Sequence, residues 1–263
     1  MAEDERTVQV RAGEVSLEGS LSLPDGAEGL VLFAHGSGSS RHSPRNRFVA
    51  AELRRAGLAA LLFDLLTAQE DAVDAVTRQL RFDIPLLAGR VAGATEWLRA
   101  QPEMADLKLG YFGASTGAAA ALAAAALRPA LARAVVSRGG RPDLAGDALA
   151  RVEAPTLLIV GSLDRAVIRM NEEAMAQMTC RTELKIVEGA SHLFEEPGKL
   201  EEVARLAADW FTEHLGGEGP AGRRPRYDGA DHLALPRLRR HRGPATGCPR
   251  CGTAARGRGS AAA

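Results

Sequence analysis

Aromatic side chains are scarce, at 4% of the 263 residues. A core of any size must therefore be assembled from Leu, Val, Ile and Ala. Cysteine is scarcer still. Cys180, Cys248 and Cys251 are the whole complement, too few for the disulfide framework of a small secreted domain. The segment Met1-Ala-Glu-Asp-Glu-Arg6 is charged and leads into no apolar stretch of the kind that a secretory signal needs. The longest apolar run, residues 117–127, is mostly alanine and falls well short of the ~20 residues that span a bilayer. A cytoplasmic protein with no membrane contact is the expectation. With 46% hydrophobic and 25% charged residues, the composition is that of an ordinary globular chain.

The formal net charge of zero conceals two unlike parts. From Gly216 onward, ten arginines face only Glu218, Asp228 and Asp231. The remainder is correspondingly acidic. The last 48 residues, 216–263, are rich in Gly, Pro and Arg with no sustained hydrophobic period. Such a segment buries too little apolar surface to offset its ordering entropy. The expected organisation is one domain over residues 1–215 and a basic, disordered tail over 216–263. Cys248-Pro-Arg-Cys251 in that tail is a lone C-x-x-C without the further ligands that a structural zinc site requires. The tail's arginines come without interleaved aromatics or a known nucleic-acid module, so no nucleic-acid partner is expected.

The first part alternates short apolar runs with helix-compatible stretches. Residues 30–34, 58–63, 107–112, 134–137, 156–160 and 183–187 have the composition of strands, several apolar almost throughout. That pattern suits strands covered on both faces. Helices are expected over 48–56, 68–81, 86–100 (the continuation of 68–81 past Pro85), 116–127, 171–178 and 200–215. Ahead of them, residues 7–11 and 15–23 alternate apolar and polar around Ala12-Gly13-Glu14, the signature of an antiparallel hairpin. Strand–helix alternation of this kind implies a mostly parallel sheet with helices on both faces.

Gly113-Ala-Ser115-Thr-Gly117 lies between an expected strand and an expected helix, the context of a nucleophile elbow. A serine held at that turn needs small neighbours two residues away on either side, and both are glycine. The N-terminus of the following helix favours developing negative charge. A serine nucleophile also needs a base and an orienting carboxylate. Of six histidines, His192 in Gly189-Ala-Ser-His192 follows the last expected strand, at the same sheet edge as Ser115. Asp164 in Gly161-Ser-Leu-Asp164 follows the preceding strand, which gives the chain order Ser, Asp, His. Asp143, after the strand before that, is the rival acid. After the first buried strand, Ala34-His-Gly-Ser37-Gly-Ser-Ser40 is a Gly/Ser-rich loop able to bring a backbone N–H to an oxyanion. The N–H of Thr116 is the second donor. This loop lacks the glycine spacing and lysine of phosphate-binding loops.

Together, Leu32-Phe-Ala-His-Gly-Ser-Gly38, the Gly113–Gly117 elbow, Gly161-Ser-Leu-Asp164 and Gly189-Ala-Ser-His192 resemble the dienelactone hydrolase-like branch of the α/β-hydrolases. The resemblance covers roughly residues 8–215. It implies an α/β-hydrolase fold without a large cap domain, with Ser115 as nucleophile, His192 as base, Asp164 as acid and the N–H groups of Ser37 and Thr116 as oxyanion donors. Dienelactone hydrolase itself uses a cysteine nucleophile. With serine at position 115, the dienelactone substrate does not carry over.

The activity so implied is hydrolysis of a small carboxylic ester or lactone through an acyl-enzyme on Ser115, without metal or organic cofactor. Thioester hydrolysis and acyl transfer would use the same triad. A binding scaffold would need none of it. The short segment between residues 136 and 156 leaves the site open. Arg138 and Arg141 fall near its edge, either to pair with an anionic substrate or as solvated loop residues, and Arg41, Arg45 and Arg47 stand in the same position. Oligomeric state is left open by the sequence.

Overall fold

The computed structural model describes residues 5–216. The tail expected over 216–263 lies outside the described residues except for Gly216, and so does the Cys248/Cys251 pair. Eight strands form one sheet: β1 (Glu5–Ala12), β2 (Val15–Ser22), β3 (Gly29–Ala34), β4 (Ala59–Phe63), β5 (Lys108–Ala114), β6 (Ala132–Arg138), β7 (Thr156–Gly161) and β8 (Thr182–Val187). Their spatial order is β1-β2-β4-β3-β5-β6-β7-β8. β1 and β2 form the expected antiparallel hairpin, with Ala12 opposite Val15. β2 runs antiparallel to β4, and every other pairing is parallel.

Every residue of β3, β4 and β7 is buried. Alternation along each strand sends side chains to two separate cores. Leu30, Leu32, Leu61, Tyr111 and Val135 face α3 (Ile84–Arg99) and α4 (Thr116–Leu127). Val31, Phe33, Leu62, Phe112, Val136 and Ile159 face α1 (Pro44–Arg55) and α6 (Lys199–Leu215). Each such side chain contributes about 1.5–3 kcal/mol by leaving water, so the parallel strands are the anchored part of the fold.

α4, Thr-Gly-Ala-Ala-Ala-Ala-Leu-Ala-Ala-Ala-Ala-Leu, is buried over most of its length. Alanine gives it the highest helix propensity, and its small side chains let it lie close against β5 and α3.

The helices depart from expectation at their ends. The stretch expected as one helix over 68–81 stops earlier. α2 (Ala68–Thr77) opens on a capping box between Thr67 and Glu70 and ends where Arg78 turns left-handed, at φ 57°. A short 3-10 turn, Leu80–Phe82, follows, and α3 then starts afresh with Asp83 as its cap and Pro85 in its first turn. α1 begins at Pro44, four residues before the expected start, because Ser43 caps it by accepting from Asn46 N–H. α5 (Arg165–Met175) begins six residues before the expected 171, with Asp164 as its N-cap residue. Residues Pro142–Arg151, unassigned in the sequence, form 3-10 turns interrupted at Gly146.

Candidate active site

β5, β7 and β8 end at one edge of the sheet, and the loops leaving them carry Ser115, Asp164 and His192, the last two in contact. Ser115 joins β5 to α4 with φ 52° and ψ −122°, a region that costs a non-glycine residue on the order of 1–3 kcal/mol. The surroundings hold it there. Ser115 N–H donates to Arg138 O at 3.2 Å, and Arg141 N–H donates to Ser115 O at 3.0 Å. The flanking glycines are sterically required. A Cβ on Gly113 would stand 2.7 Å from Ala118 N, and one on Gly117 would stand 2.5 Å from His35 O.

His192 lies in the loop after β8. Its Nδ1 is 2.6 Å from Asp164 Oδ2, so the imidazole donates from Nδ1 and leaves Nε2 free to accept. The ring is 40% exposed and Asp164 17%, which leaves the pair reachable by a substrate. The loop is fixed from below and behind: Phe194, with φ 56°, is buried in the core, and Ser191 N–H donates to Glu196 Oε2 at 3.0 Å. That bond from the Ser191 amide holds the Glu196 carboxyl below its ordinary range. Residues 138–141 link the two halves of the site. They are bonded to Ser115 as above, and a Cβ on Gly139 would stand only 3.1 Å from His192 O and 3.6 Å from His192 Cε1.

Asp143 does not join this arrangement. Its carboxylate accepts from Arg141 Nε at 2.9 Å and Nη2 at 2.7 Å.

The loop of residues 34–40 lies beside the elbow, with Gly36 close enough that a Cβ on it would stand 3.2 Å from Ser115 Cβ. His35 stabilises the loop as a neutral ring. Nδ1–H donates to Gly36 O at 3.0 Å, and Nε2 accepts from Leu65 N–H at 3.1 Å. Burial holds its pKa below the ordinary histidine value. Arg41 ties the far end of the loop to Asp64 through its N–H, at 2.8 Å, and through its guanidinium. The N–H of Ser37 is engaged: it donates to Thr116 Oγ1 at 2.9 Å. Nothing in the sequence signals that bond between residues 79 positions apart. Beside it opens a cavity of about 400 Å³, bounded by Ser37 and Thr116 on one side and by Leu17, Leu66, Leu87 and Arg81 on others.

The arginines of this rim divide clearly. Arg41 pairs with Asp64 and Glu18, Arg45 with Glu195, Arg47 with Glu5 and Arg141 with Asp143. Arg138 is not a solvated loop residue: it is 6% exposed, and its Nε and Nη1 have no hydrogen-bond partner. Burial, reinforced by the charge of Arg45, lowers its pKa to about 10. Among the described residues no three His, Cys, Asp or Glu are grouped to hold a metal, and no helix is long and apolar enough to cross a membrane.

Known proteins share this arrangement of strands and loops. Residues 17–215 match the dienelactone hydrolase family. Two curated Mycobacterium tuberculosis proteins, from strains CDC 1551 and H37Rv, are 58% identical over 215 residues and carry the name phosphoribosyl transferase. The match covers 82% of this chain but 48% of each relative, so the chain spans about half their length. The crystal structure of a dienelactone hydrolase from Anabaena variabilis is similar at 61% identity and a TM-score of 0.80, over 81% of this chain and 98% of that one. Est1E from Butyrivibrio proteoclasticus, at 14% identity and a TM-score of 0.67 over 80% of this chain and 99% of its own, shares the fold. The chain is an α/β-hydrolase and belongs to the dienelactone hydrolase family.

Proposed function

We propose that the protein is a serine hydrolase that cleaves a carboxylic ester or lactone of a small molecule through an acyl-enzyme on Ser115. The observation that carries this reading is the 2.6 Å contact between His192 Nδ1 and Asp164 Oδ2, at the same sheet edge as a strained serine on an elbow.

His192 Nε2 takes the proton of Ser115 Oγ as the oxygen attacks the substrate carbonyl. Asp164 keeps the imidazole in the tautomer that can accept it and stabilises the imidazolium that forms. The tetrahedral intermediate collapses, and His192 returns the proton to the departing alkoxide. A water deprotonated by His192 then attacks the acyl-enzyme and releases the acid. The positive end of α4 favours the charge on the carbonyl oxygen in both halves. Release to an acceptor other than water would make the same site a transferase, and a thioester would enter by the same route. Neither metal nor organic cofactor takes part in these steps.

Arg138 gives this reading a preference. A buried cation with two orphaned N–H groups is costly unless an anion meets it, which favours esters carrying a carboxylate or phosphate. The name of the longer mycobacterial relatives concerns proteins with about as much chain again, and no residue of the present site argues for phosphoribosyl transfer.

The direct test is hydrolysis of short p-nitrophenyl esters by the wild type and by Ser115→Ala, with fluorophosphonate labelling of both. Turnover and labelling lost in the variant support the acyl-enzyme. Turnover retained in the variant refutes it, and a wild type that neither turns over nor labels is a binding scaffold.

A further inference from the structure

The amide expected to receive an oxyanion is already occupied. Ser37 N–H donates to Thr116 Oγ1 at 2.9 Å, and one N–H proton does not serve two acceptors with good geometry. Thr116 itself is 4% exposed and follows Ser115 as the first residue of α4. A threonine hydroxyl carries one donor and two acceptor lone pairs. Here a lone pair takes the Ser37 proton, and the hydroxyl's own proton has no acceptor among the described residues. The Ser37 bond gives this buried hydroxyl the one partner that buried polar groups nearly always have and leaves over a donor. Thr116 borders the 400 Å³ cavity beside the elbow.

We propose that Thr116 is a catalytic residue that holds the oxyanion with two donors of its own, the backbone N–H and the side-chain hydroxyl. Ser37 acts behind it as a positioning residue. This inference rests on the reading of Ser115 as nucleophile. The N and Oγ1 atoms of one threonine hang from adjacent carbons and can converge on a single oxygen.

When Ser115 Oγ bonds to the substrate carbon, the carbonyl π pair moves onto the carbonyl oxygen and the serine proton moves to His192. The new oxyanion then accepts from Thr116 N–H and Thr116 Oγ1–H, and no proton leaves Thr116. The Ser37 N–H fixes the hydroxyl's orientation and polarises it, because donors in a chain strengthen one another. Charge then develops beside donors already fixed in the fold, the condition under which such donors lower a barrier most.

The test compares wild type, Ser115→Ala, Thr116→Ser, Thr116→Val and Thr116→Ala in kcat and KM for p-nitrophenyl acetate, with a thermal melt of each. Loss of one oxyanion donor costs about 10²–10³-fold in kcat. Thr116→Val, which keeps the shape and loses the hydroxyl, is expected to fall by that factor with KM little changed, and Thr116→Ser to recover most of the loss. Thr116→Ala carries the same expectation if the valine disturbs folding. A Val or Ala variant that melts like wild type and turns over as fast or faster overturns the proposal, because the freed Ser37 amide is then the donor. A serine variant as impaired as the valine also overturns it, since the methyl group rather than the hydroxyl would matter. If Ser115→Ala is as active as wild type, the nucleophile reading falls and takes this inference with it, an outcome separate from the other two.

Discussion

His192 Nδ1 lies 2.6 Å from Asp164 Oδ2, while the rival carboxylate of Asp143 is held by the guanidinium of Arg141. The two aspartates therefore respond differently to the same change. Asp164→Asn keeps the size of the side chain but lets the imidazole settle in the wrong tautomer, which lowers kcat by about 10⁴-fold in a triad of this kind. Asp143→Asn breaks only a partly exposed ion pair and is expected to alter kcat by about twofold or less, the scale of an ordinary surface change. Steady-state kinetics on the two variants checks both. A larger loss in Asp143→Asn would reassign the acid.

The same histidine chemistry has a different consequence at His35. Its ring is bonded on both sides as the neutral tautomer, and burial lowers its pKa. In the unfolded chain it recovers the ordinary value near 6.5. As pH falls below about 6.5, the unfolded state takes up the proton first. The unfolded state then binds more protons than the native one, and stability falls with falling pH until the lowered folded pKa is passed. Urea midpoints measured from pH 7.5 to 5.5 should fall for the wild type. They should fall less for His35→Gln, whose amide oxygen can still accept from Leu65 N–H but does not titrate. Parallel slopes in the two proteins would show that another group dominates this window.

How much of this was legible in the sequence depends on whether the signal was local. β3, β4 and β7 announce themselves because burial on both faces leaves an apolar run with no polar alternation, and Gly113 and Gly117 announce the elbow because no other residue fits. Asp164 and His192 are found by position after their strands. The break between α2 and α3 leaves no such mark: Arg78 adopts a left-handed conformation that glycine or asparagine would normally signal. The start of α5 is masked because its cap residue, Asp164, has its carboxylate turned to His192 instead of the helix amides. The Ser37–Thr116 bond joins residues far apart in the chain, and only the parallel pairing of β3 with β5 brings them together. The burial of Arg138 could have been read. It shares strand parity with Ala134 and Val136, both in the core shared with α1 and α6, so a period of two directs it inward.

That inward direction sets up the last prediction. Arg138 ends β6 with its carbonyl bonded to Ser115 N–H, next to the glycine that packs on His192, and no carboxylate among the described residues pairs with it. Replacing it with Met keeps much of the aliphatic stem and removes the charge. A buried unpaired cation opposes folding, so the urea midpoint of Arg138→Met should equal or exceed that of wild type. If the guanidinium instead waits for an anionic substrate, a charged hydrogen bond worth about 1.5–3 kcal/mol is lost with it. The value of kcat/KM for p-nitrophenyl hemiglutarate should then fall by about 10–100-fold, while that for neutral p-nitrophenyl pentanoate stays near wild type. The pair of esters is the discriminating measurement, since the two differ chiefly in the charge at the end of the acyl chain. An equal fall on both would mean that Arg138 supports the His192 loop and selects nothing. An unchanged hemiglutarate rate would remove the preference for anionic esters.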